Sequence, residues 1–393
     1  MLARAAFQNF KGLQDLSVDL SPITVIVGKN GAGKTSILQG IHYASQVGAR
    51  RADEEKNPAG RLGALFSGAR DPRRLVTLPW HDSVRLALTE VGGCTLSLTI
   101  ALPPEEEEGA GYRFQVHVSE GDPAEISVPG ASAIEVAAFF KSATVRGFAS
   151  AIFLHLDATV MAKPSAWVKP PTAKDDVPRV EHDGEGLASL LSYLAGAEPD
   201  TLDAITRDLA RVVPRVRGIR TFPATVSRRR RERIIVGEQE IWRTIEEEVP
   251  GHRFSLDFGA GRIVPADLLS EGTVLALGLL VMLRHPRCPR LVLLDDVDRA
   301  LHFEAQAELV RCLREIRGIR PDVQIVCTSH SPYLLDHFEL EEVRLTAMDP
   351  RGNVVCRALR EHPEAERWKK MLRTGEFWAS VGEGWLLDEA DHG

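Results

Sequence analysis

The sequence predicts an α/β protein with a parallel-sheet core, a lobe of mixed, mostly antiparallel strands and a helical insertion. Three observations carry that expectation. The apolar run "ITVIV" passes straight into a glycine-rich turn and then a helical pattern, the strand-loop-helix order of a phosphate-binding loop. Far downstream, "LVLLDD" and "DVQIVCTSH" are apolar runs on either side of a helical stretch, the β-helix-β alternation of a parallel sheet buried on both faces. Between these halves lies a series of short alternating runs whose gaps leave no room for crossover helices, so most of them pair antiparallel.

Along the chain, "ARAAF", "LQDLSVDL" and "ITVIV" read as strands, with Pro22 punctuating the last two. After the glycines, Ile37, Leu38, Ile41 and Ala44 fall on one helix face. An Arg-rich connector, Arg50 to Arg74, precedes the antiparallel group "SVRLALTEV", "CTLSLTIAL", "YRFQVHV", "AEISV" and "SAIFLHL". Within it the acidic run from Pro103 to Gly109 reads as a solvated turn. "AKPSAWVKPPTAKDDVP" is a loop, and "GLASLLSYLAG" and "DTLDAITRDLARVVPRV" are helices. Glu238 to Glu248 reads as a further helix between the strands "RTFPATV" and "HRFSLDF". The expected organisation is an amino-terminal lobe at 1–160, a mainly helical insertion with a basic hairpin at 161–261, a second lobe at 262–350 and a tail at 351–393. In the tail, Trp368, Trp378 and Trp385 read as packing residues.

Composition narrows the classes. With 393 residues and 44% hydrophobic content, two or three units can each bury a core. A net charge of -7 excludes a chain coated in positive potential, so any nucleic-acid contact rests on a local patch. Cys94, Cys288, Cys312, Cys327 and Cys356 form no C-x-x-C pair, which argues against a zinc site or a disulfide framework and for buried small hydrophobes. The longest apolar run, Val274 to Leu283, is too short for a bilayer span, and the start lacks a signal-peptide core, so a cytoplasmic location without membrane contact is expected.

Gly28, Lys29, Asn30, Gly31, Ala32, Gly33, Lys34 and Thr35 fit G-x-x-x-x-G-K-S/T, with Ser36 next in line. Glycines let the backbone wrap so that its N–H groups face phosphate oxygens, Lys34 adds a point charge, and Thr35 can ligate Mg²⁺. The loop alone leaves GTPase, kinase and ATPase chemistry open. Asp295, at the end of the strand "LVLL", can hold Mg²⁺ through water, and Asp296 is placed to orient or deprotonate an attacking water. His330 closes the next buried strand, where it could sense a γ-phosphate. Ser270, Glu271 and Gly272 open an apolar helix, with Ser270 as N-cap and Gly272 allowing close backbone approach.

"LLSEGT" upstream of an Asp-terminated strand resembles the signature motif of the ABC ATPases, which completes the nucleotide site of the opposite subunit. "FQNFKGLQDLSVDLSPITVIVGKNGAGKTSILQGI" resembles the opening of the RecF, SMC and OLD group, and "LLDDVDRALH" and "TSHSPYLLD" are similar to its Mg²⁺/base and switch-histidine segments. The resemblance is to stand-alone bacterial AAA-family ATPases without coiled coil or Toprim domain. It implies an ABC-ATPase-like P-loop head that binds and hydrolyses ATP with Mg²⁺ as a homodimer sandwiching the nucleotide, with Asn9, Phe10 and Lys11 lining the pocket. It also implies a separate effector such as a nuclease or toxin, in anti-phage defence or DNA maintenance. The group usually has Asp-Glu where this chain has Asp295-Asp296, so slow turnover is implied. An ATP-gated scaffold with little hydrolysis is the rival; a transporter subunit fits less well. Arg228, Arg229, Arg230 and Arg231 are the candidate DNA contact, against a reading in which Glu246 to Glu248 balance them.

Overall fold

The computed structural model describes residues 1–46, 83–101, 113–119, 126–128, 151–166, 177–178, 180–236, 239–285 and 288–388, with side chains left aside at 101, 113–119, 126–128, 229–242 and 388. The Arg50 to Arg74 connector, the acidic turn from Pro103 to Gly109 and residues 167–176 of the central loop lie outside them. In chain order the elements begin with β1 (Leu2–Phe10), β2 (Leu13–Asp19), β3 (Ile23–Gly28), α1 (Lys34–Gln46), β4 (Ser83–Glu90), β5 (Thr95–Ala101), β6 (Arg113–Ser119), β7 (Ile126–Val128) and β8 (Ala151–Leu154). There follow α2 (Ala158–Met161), β9 (Ser165–Ala166), α3 (Leu187–Ala197), α4 (Pro199–Val212), β10 (Gly218–Val236), β11 (Gln239–Asp257), β12 (Ile263–Pro265) and α5 (Glu271–Arg284). The chain closes with β13 (Leu291–Leu294), α6 (Phe303–Ile319), β14 (Gln324–Ser329), α7 (Pro332–Leu335), β15 (Val343–Met348), β16 (Val354–Ala358), α8 (Ala365–Trp368), α9 (Thr374–Val381) and α10 (Trp385–Asp388). No helix among the described residues is long and apolar enough to cross a membrane.

The chain divides into two compact units, one of Met1–Leu154, Pro289–Arg299 and Leu313–Gly393, the other of His155–Cys288 and Ala300–Cys312. The first unit holds two six-stranded sheets. One is antiparallel, in the order β2-β1-β4-β5-β6-β7. Alternation in β1 buries Ala5 and Phe7 while Gln8 faces out, and Phe7, Leu86, Leu88 and Leu98 join Ile37, Leu38 and Ile41 of α1 in one core. The other sheet runs β16-β15-β3-β14-β13-β8 and is parallel except for the β15/β16 pair. β3, β13 and β14 are buried at every position, as their unbroken apolar runs require. The expected α/β class and P-loop head architecture hold.

"SAIFLHL" was assigned above to the antiparallel group, but β8 pairs parallel with β13 and so belongs to the core sheet. A short apolar run does not encode which sheet receives it; the partner strand decides.

In the second unit α2 is capped by Asp157, whose Oδ1 accepts from the N–H groups of Thr159 (2.7 Å) and Val160 (3.3 Å). Helix α5 is buried from Gly272 to Leu283 and so is apolar all round. At its end Arg284 Nε donates to Asp208 Oδ2 of α4 at 2.7 Å, which compensates the burial of a carboxylate only 4% exposed. The helix expected over Glu238 to Glu248 is not formed: Gln239–Asp257 is a strand. Its spaced apolar residues also suit a strand, and β10 offers it a complete ladder from Gly218↔Asp257 to Val236↔Gln239. The segment 161–261 therefore combines two longer helices with a ribbon of two 19-residue strands.

Candidate nucleotide site

The loop is shaped by what lies beside it. β15 runs parallel to β3 with Thr346 opposite Gly28, and a Cβ on Gly28 would overlap the Thr346 carbonyl oxygen. Gly28 also sits at φ +149°, and Gly31 and Gly33 at +81°, conformations that L side chains rarely adopt. α1 then begins at Lys34, leaving its first-turn amides without intrahelical acceptors. Lys34 folds back over the loop: Nζ donates to the carbonyls of Gly28 (2.9 Å) and Lys29 (3.0 Å), and the residue is only 6% exposed. Burial pulls the Lys34 amine below the ordinary lysine range, opposed by the negative charges of Asp296, Asp295, Asp298 and Glu383.

Facing the loop in the same unit are the carboxyl ends of β13 and β14. Asp295 follows β13 and is pinned by its own N–H, which donates to the Leu154 carbonyl at 3.1 Å. Its Oδ1 accepts from two hydroxyls, Thr35 Oγ1 at 3.0 Å and Thr328 Oγ1 at 2.7 Å. Thr328 Oγ1 in turn accepts from the Asp296 N–H at 2.8 Å, so one hydroxyl of β14 positions both acidic residues. Asp296 adopts φ +50°, which Asp tolerates better than longer side chains. His330 Nε2 lies 3.8 Å from Asp296 Oδ1, both side chains being part exposed, and the His330 N–H donates to Asp298 Oδ1 at 3.4 Å. Thr328 was not singled out from the sequence; its signal is the pair of hydroxyl residues, Thr328 and Ser329, that ends the apolar run "IVC".

The oxygen pair from Thr35 and Asp295 fits a hard cation. Thr35 Oγ1 and Asp295 Oδ1, hydrogen-bonded at 3.0 Å, set side by side two hard oxygen donors of the kind that Mg²⁺ or its bound waters take.

The turn after β1 reaches the loop through Val354, whose N–H donates to the Gly12 carbonyl at 2.8 Å and whose Cγ2 lies 2.6 Å from where a Gly33 Cβ would sit. Asn9 and Lys11 both have positive φ, 56° and 53°. Asn9 Nδ2 donates to the Ser83 carbonyl at 3.1 Å; Lys11 Nζ bonds Gln39 of α1 and lies 5.6 Å from the Phe10 ring centroid. Phe10, expected at the pocket wall, is 0% exposed and packs edge-on against Tyr43 in the core. A closed turn packed on α1 needs that anchor, which is why the aromatic ring points inward.

The second unit carries Ser270, Glu271 and Gly272. Ser270 Oγ caps α5 by accepting from the Thr273 N–H at 3.3 Å and pairs with Thr273 Oγ1 at 2.8 Å. Ser270 and Glu271 are exposed, beside Leu268 at 71%. Gly272 is buried, and a Cβ there would overlap the Ala300 carbonyl oxygen. On the ribbon, Arg228, Arg229, Arg230 and Arg231 stand opposite Glu247, Glu246, Ile245 and Thr244.

A family profile described as "AAA domain, putative AbiEii toxin, Type IV TA system" matches residues 150–336, and another described as "AAA domain" matches residues 6–73. An SmcHead solved bound to the C-winged helix domain of ScpA aligns with a TM-score of 0.52 at 14% identity, covering 93% of this chain and 99% of that one. An Smc head domain with an extended coiled coil, bound to the C-terminal domain of ScpA derived from Pyrococcus furiosus, gives 0.52 at 11% identity over 94% and 99%. The chain has the fold of an SMC head domain and matches two AAA-domain profiles.

Curated relatives match over short stretches. An OLD nuclease of Thermus scotoductus is 54% identical over 41 residues, 10% of this chain and 8% of that protein. The DNA replication and repair protein RecF of Actinobacillus pleuropneumoniae is 51% identical over 43 residues, 11% and 12% of the two chains. RecF of Acholeplasma laidlawii is 36% identical over 58 residues, 14% and 17%. The match thus spans less than a fifth of each relative's length.

Proposed function

We propose that the protein binds ATP with Mg²⁺, closes as a homodimer around two nucleotides and hydrolyses them to switch a partner. The observation that carries this is the web in which Thr35 and Thr328 both donate to Asp295 Oδ1, beside a glycine loop closed by Lys34. In this reading the loop amides and Lys34 hold the phosphates, exchanging the Gly28 and Lys29 carbonyls for phosphate oxygens. Asn9 and Lys11 border the nucleotide. Bound Mg²⁺, held by Thr35 and Asp295, would neutralise charge on the β- and γ-phosphates. Asp296 orients or deprotonates the attacking water, and His330, across from it, reports on the γ-phosphate. Ser270, Glu271 and Gly272, at the start of α5, offer helix-end N–H groups to the partner's γ-phosphate.

Catalysis of this kind is positioning and electrostatics, so the reach of Asp296 matters. Its shorter side chain supports slow turnover and, in the limit, an ATP-gated scaffold. The toxin-system profile and the OLD and RecF relatives support a partner that is a nuclease, a toxin or DNA, in anti-phage defence or DNA maintenance.

Steady-state hydrolysis by the purified protein, with and without double-stranded DNA and beside Asp296→Ala, tests the reading. Turnover that disappears in the variant is the expected result, and stimulation by DNA would make DNA the trigger. Tight ATP binding without turnover in either protein would replace the enzyme with the scaffold.

A further inference from the structure

The tail is attached within the first unit by its helices α9 and α10, and both attachments lead to the nucleotide loop. Helix α9 rests on α7, the helix that starts just after His330. The Thr374 hydroxyl donates to the Phe338 carbonyl at 2.6 Å, and the Gly375 N–H donates to Asp336 Oδ1 at 3.0 Å. The approach is so close that a Cβ on Gly375 would overlap the Pro332 carbonyl oxygen. Helix α10 packs instead on β15 and β16, with Leu386 fully buried. Those strands wall the loop, Thr346 against Gly28 and Val354 against Gly33.

Between the two helices, Glu383 is presented on a tight turn. Gly382 leaves α9 at φ +60° and ψ −158°, a conformation essentially confined to glycine, and its N–H donates to the Trp378 carbonyl at 2.8 Å. The Glu383 carbonyl then accepts from the Leu386 N–H at 3.1 Å, which starts α10. The backbone is thus held on both sides, while the half-buried Glu383 carboxylate makes no hydrogen bond or ion pair among the described residues. Its charge nonetheless reaches the Lys34 amine, beside those of Asp295, Asp296 and Asp298. Those three have bonds or neighbours of their own: Asp295 collects two hydroxyls, Asp296 faces His330, and Asp298 accepts from the His330 N–H. Glu383 has no such partner.

We infer that Glu383 is a further residue of the nucleotide site, a negative charge held beside the loop that weakens its grip on a triphosphate. A charge that attracts the Lys34 ammonium repels phosphate oxygens brought to the same place. Anchors on both sides keep the turn from swinging clear, so the repulsion persists when the site fills. The inference rests on the reading of the loop as an ATP site and adds to it a residue that sets how readily the nucleotide leaves. Because the turn is hung between α7, next to His330, and the strands that wall the loop, the charge is tied to the two elements that touch the phosphates in that reading. A recognition role, with the carboxylate accepting from a ribose hydroxyl or a base amine, carries the opposite sign: removing the acceptor would then loosen binding.

Calorimetry of the full chain with the magnesium complex of the non-hydrolysable analogue AMP-PNP tests the sign. Glu383→Gln, which keeps the shape and removes the charge, should bind about three- to tenfold more tightly than the parent at low salt. Raising the salt from about 50 mM to about 500 mM should erase most of that gain, because screening acts on a charge and not on a change of packing. Glu383→Asp, which keeps the charge on the same turn, should bind like the parent, and Glu383→Ala should repeat the gain of Glu383→Gln. Equal affinity in parent and Glu383→Gln would overturn the inference, as would a gain that persists unchanged in high salt. Weaker binding in Glu383→Gln would also overturn it and make the carboxylate a direct contact of the nucleotide. A parent that binds no AMP-PNP would remove the ATP reading and this inference together, whereas a parent that binds while its variants match it removes the inference alone.

Discussion

The nucleotide loop and the start of α5 are both glycine-containing turns into helices, yet they are held in different ways. In the first unit the site residues hold one another: Lys34 closes over its own loop, and Asp295 collects hydroxyls from α1 and from β14. In the second, the Ser270 side chain bonds within its own first turn, and Gly272 is demanded by the Ala300 carbonyl. The first arrangement spends polar side chains on aiming a carboxylate and an amine, for which packing alone supplies no reason. The second has a sufficient structural reason before any ligand is considered. Changes in the two units should therefore separate activity from stability in opposite ways.

The largest effect is expected at Lys34. Lys34→Ala removes the charge and the loop clasp together, and ATP affinity by calorimetry should fall at least 100-fold, about 2.7 kcal/mol or more. The melting temperature should hardly move, since a buried lysine with its amine held below the ordinary range is itself a cost. A wild-type affinity would break the assignment of the loop. Gly272→Ala should do the reverse, lowering stability by roughly 1–3 kcal/mol through overlap with Ala300. ATP affinity at the loop should survive wherever the protein remains folded. An unchanged melting curve would show that Gly272 is kept for a ligand instead.

This contrast also explains what could be read in advance. The loop was legible because its spacing, its strand and its helix are contiguous, so local backbone needs and phosphate chemistry coincide. Thr328 was not, since its role depends on β13 and β14 lying side by side, a pairing the sequence does not spell out. Phe10 was misplaced because a motif position says nothing about which way a ring points once a turn is anchored. The stretch Glu238 to Glu248 was misread because helix-compatible spacing and charge also suit a strand whose partner lies earlier in the chain.

At Asp296 the expected effect is about tenfold. If the carboxylate falls a methylene short of the water, Asp296→Glu should raise turnover by about that factor, or 1.4 kcal/mol. The gain will be trimmed by the φ of +50°, which costs Glu more than Asp. Turnover that drops in Asp296→Glu as far as in Asp296→Ala would show that the short side chain is the working length. Ser270→Ala sharpens the comparison further. Losing the cap costs about 1 kcal/mol, so a hydrolysis loss far beyond that, in a protein still folded, would place Ser270 against a nucleotide. A loss no larger than the melting shift predicts would leave it a cap.

The smallest effect belongs to the tail, in the first unit. His362 lies edge-on to Phe377 (5.3 Å) and Trp385 (5.1 Å), and its Nδ1 accepts from the Glu364 N–H at 3.1 Å. An accepting Nδ1 requires the neutral ring, and burial lowers the His362 pKa, partly opposed by the charge of Glu364. In the detached tail the ring should titrate near its ordinary value of about 6.5. Above that value docking is undiminished. As pH falls through it, the detached tail takes up the proton first, and docking weakens until the folded ring protonates too. Hydrogen exchange over Thr374 to Asp388 should therefore quicken by a small factor between pH 7.5 and 5.5, and His362→Gln should abolish the dependence while keeping an acceptor. Acid-independent exchange in the unaltered chain would mean that the ring's stacking, and not its charge state, holds the tail down.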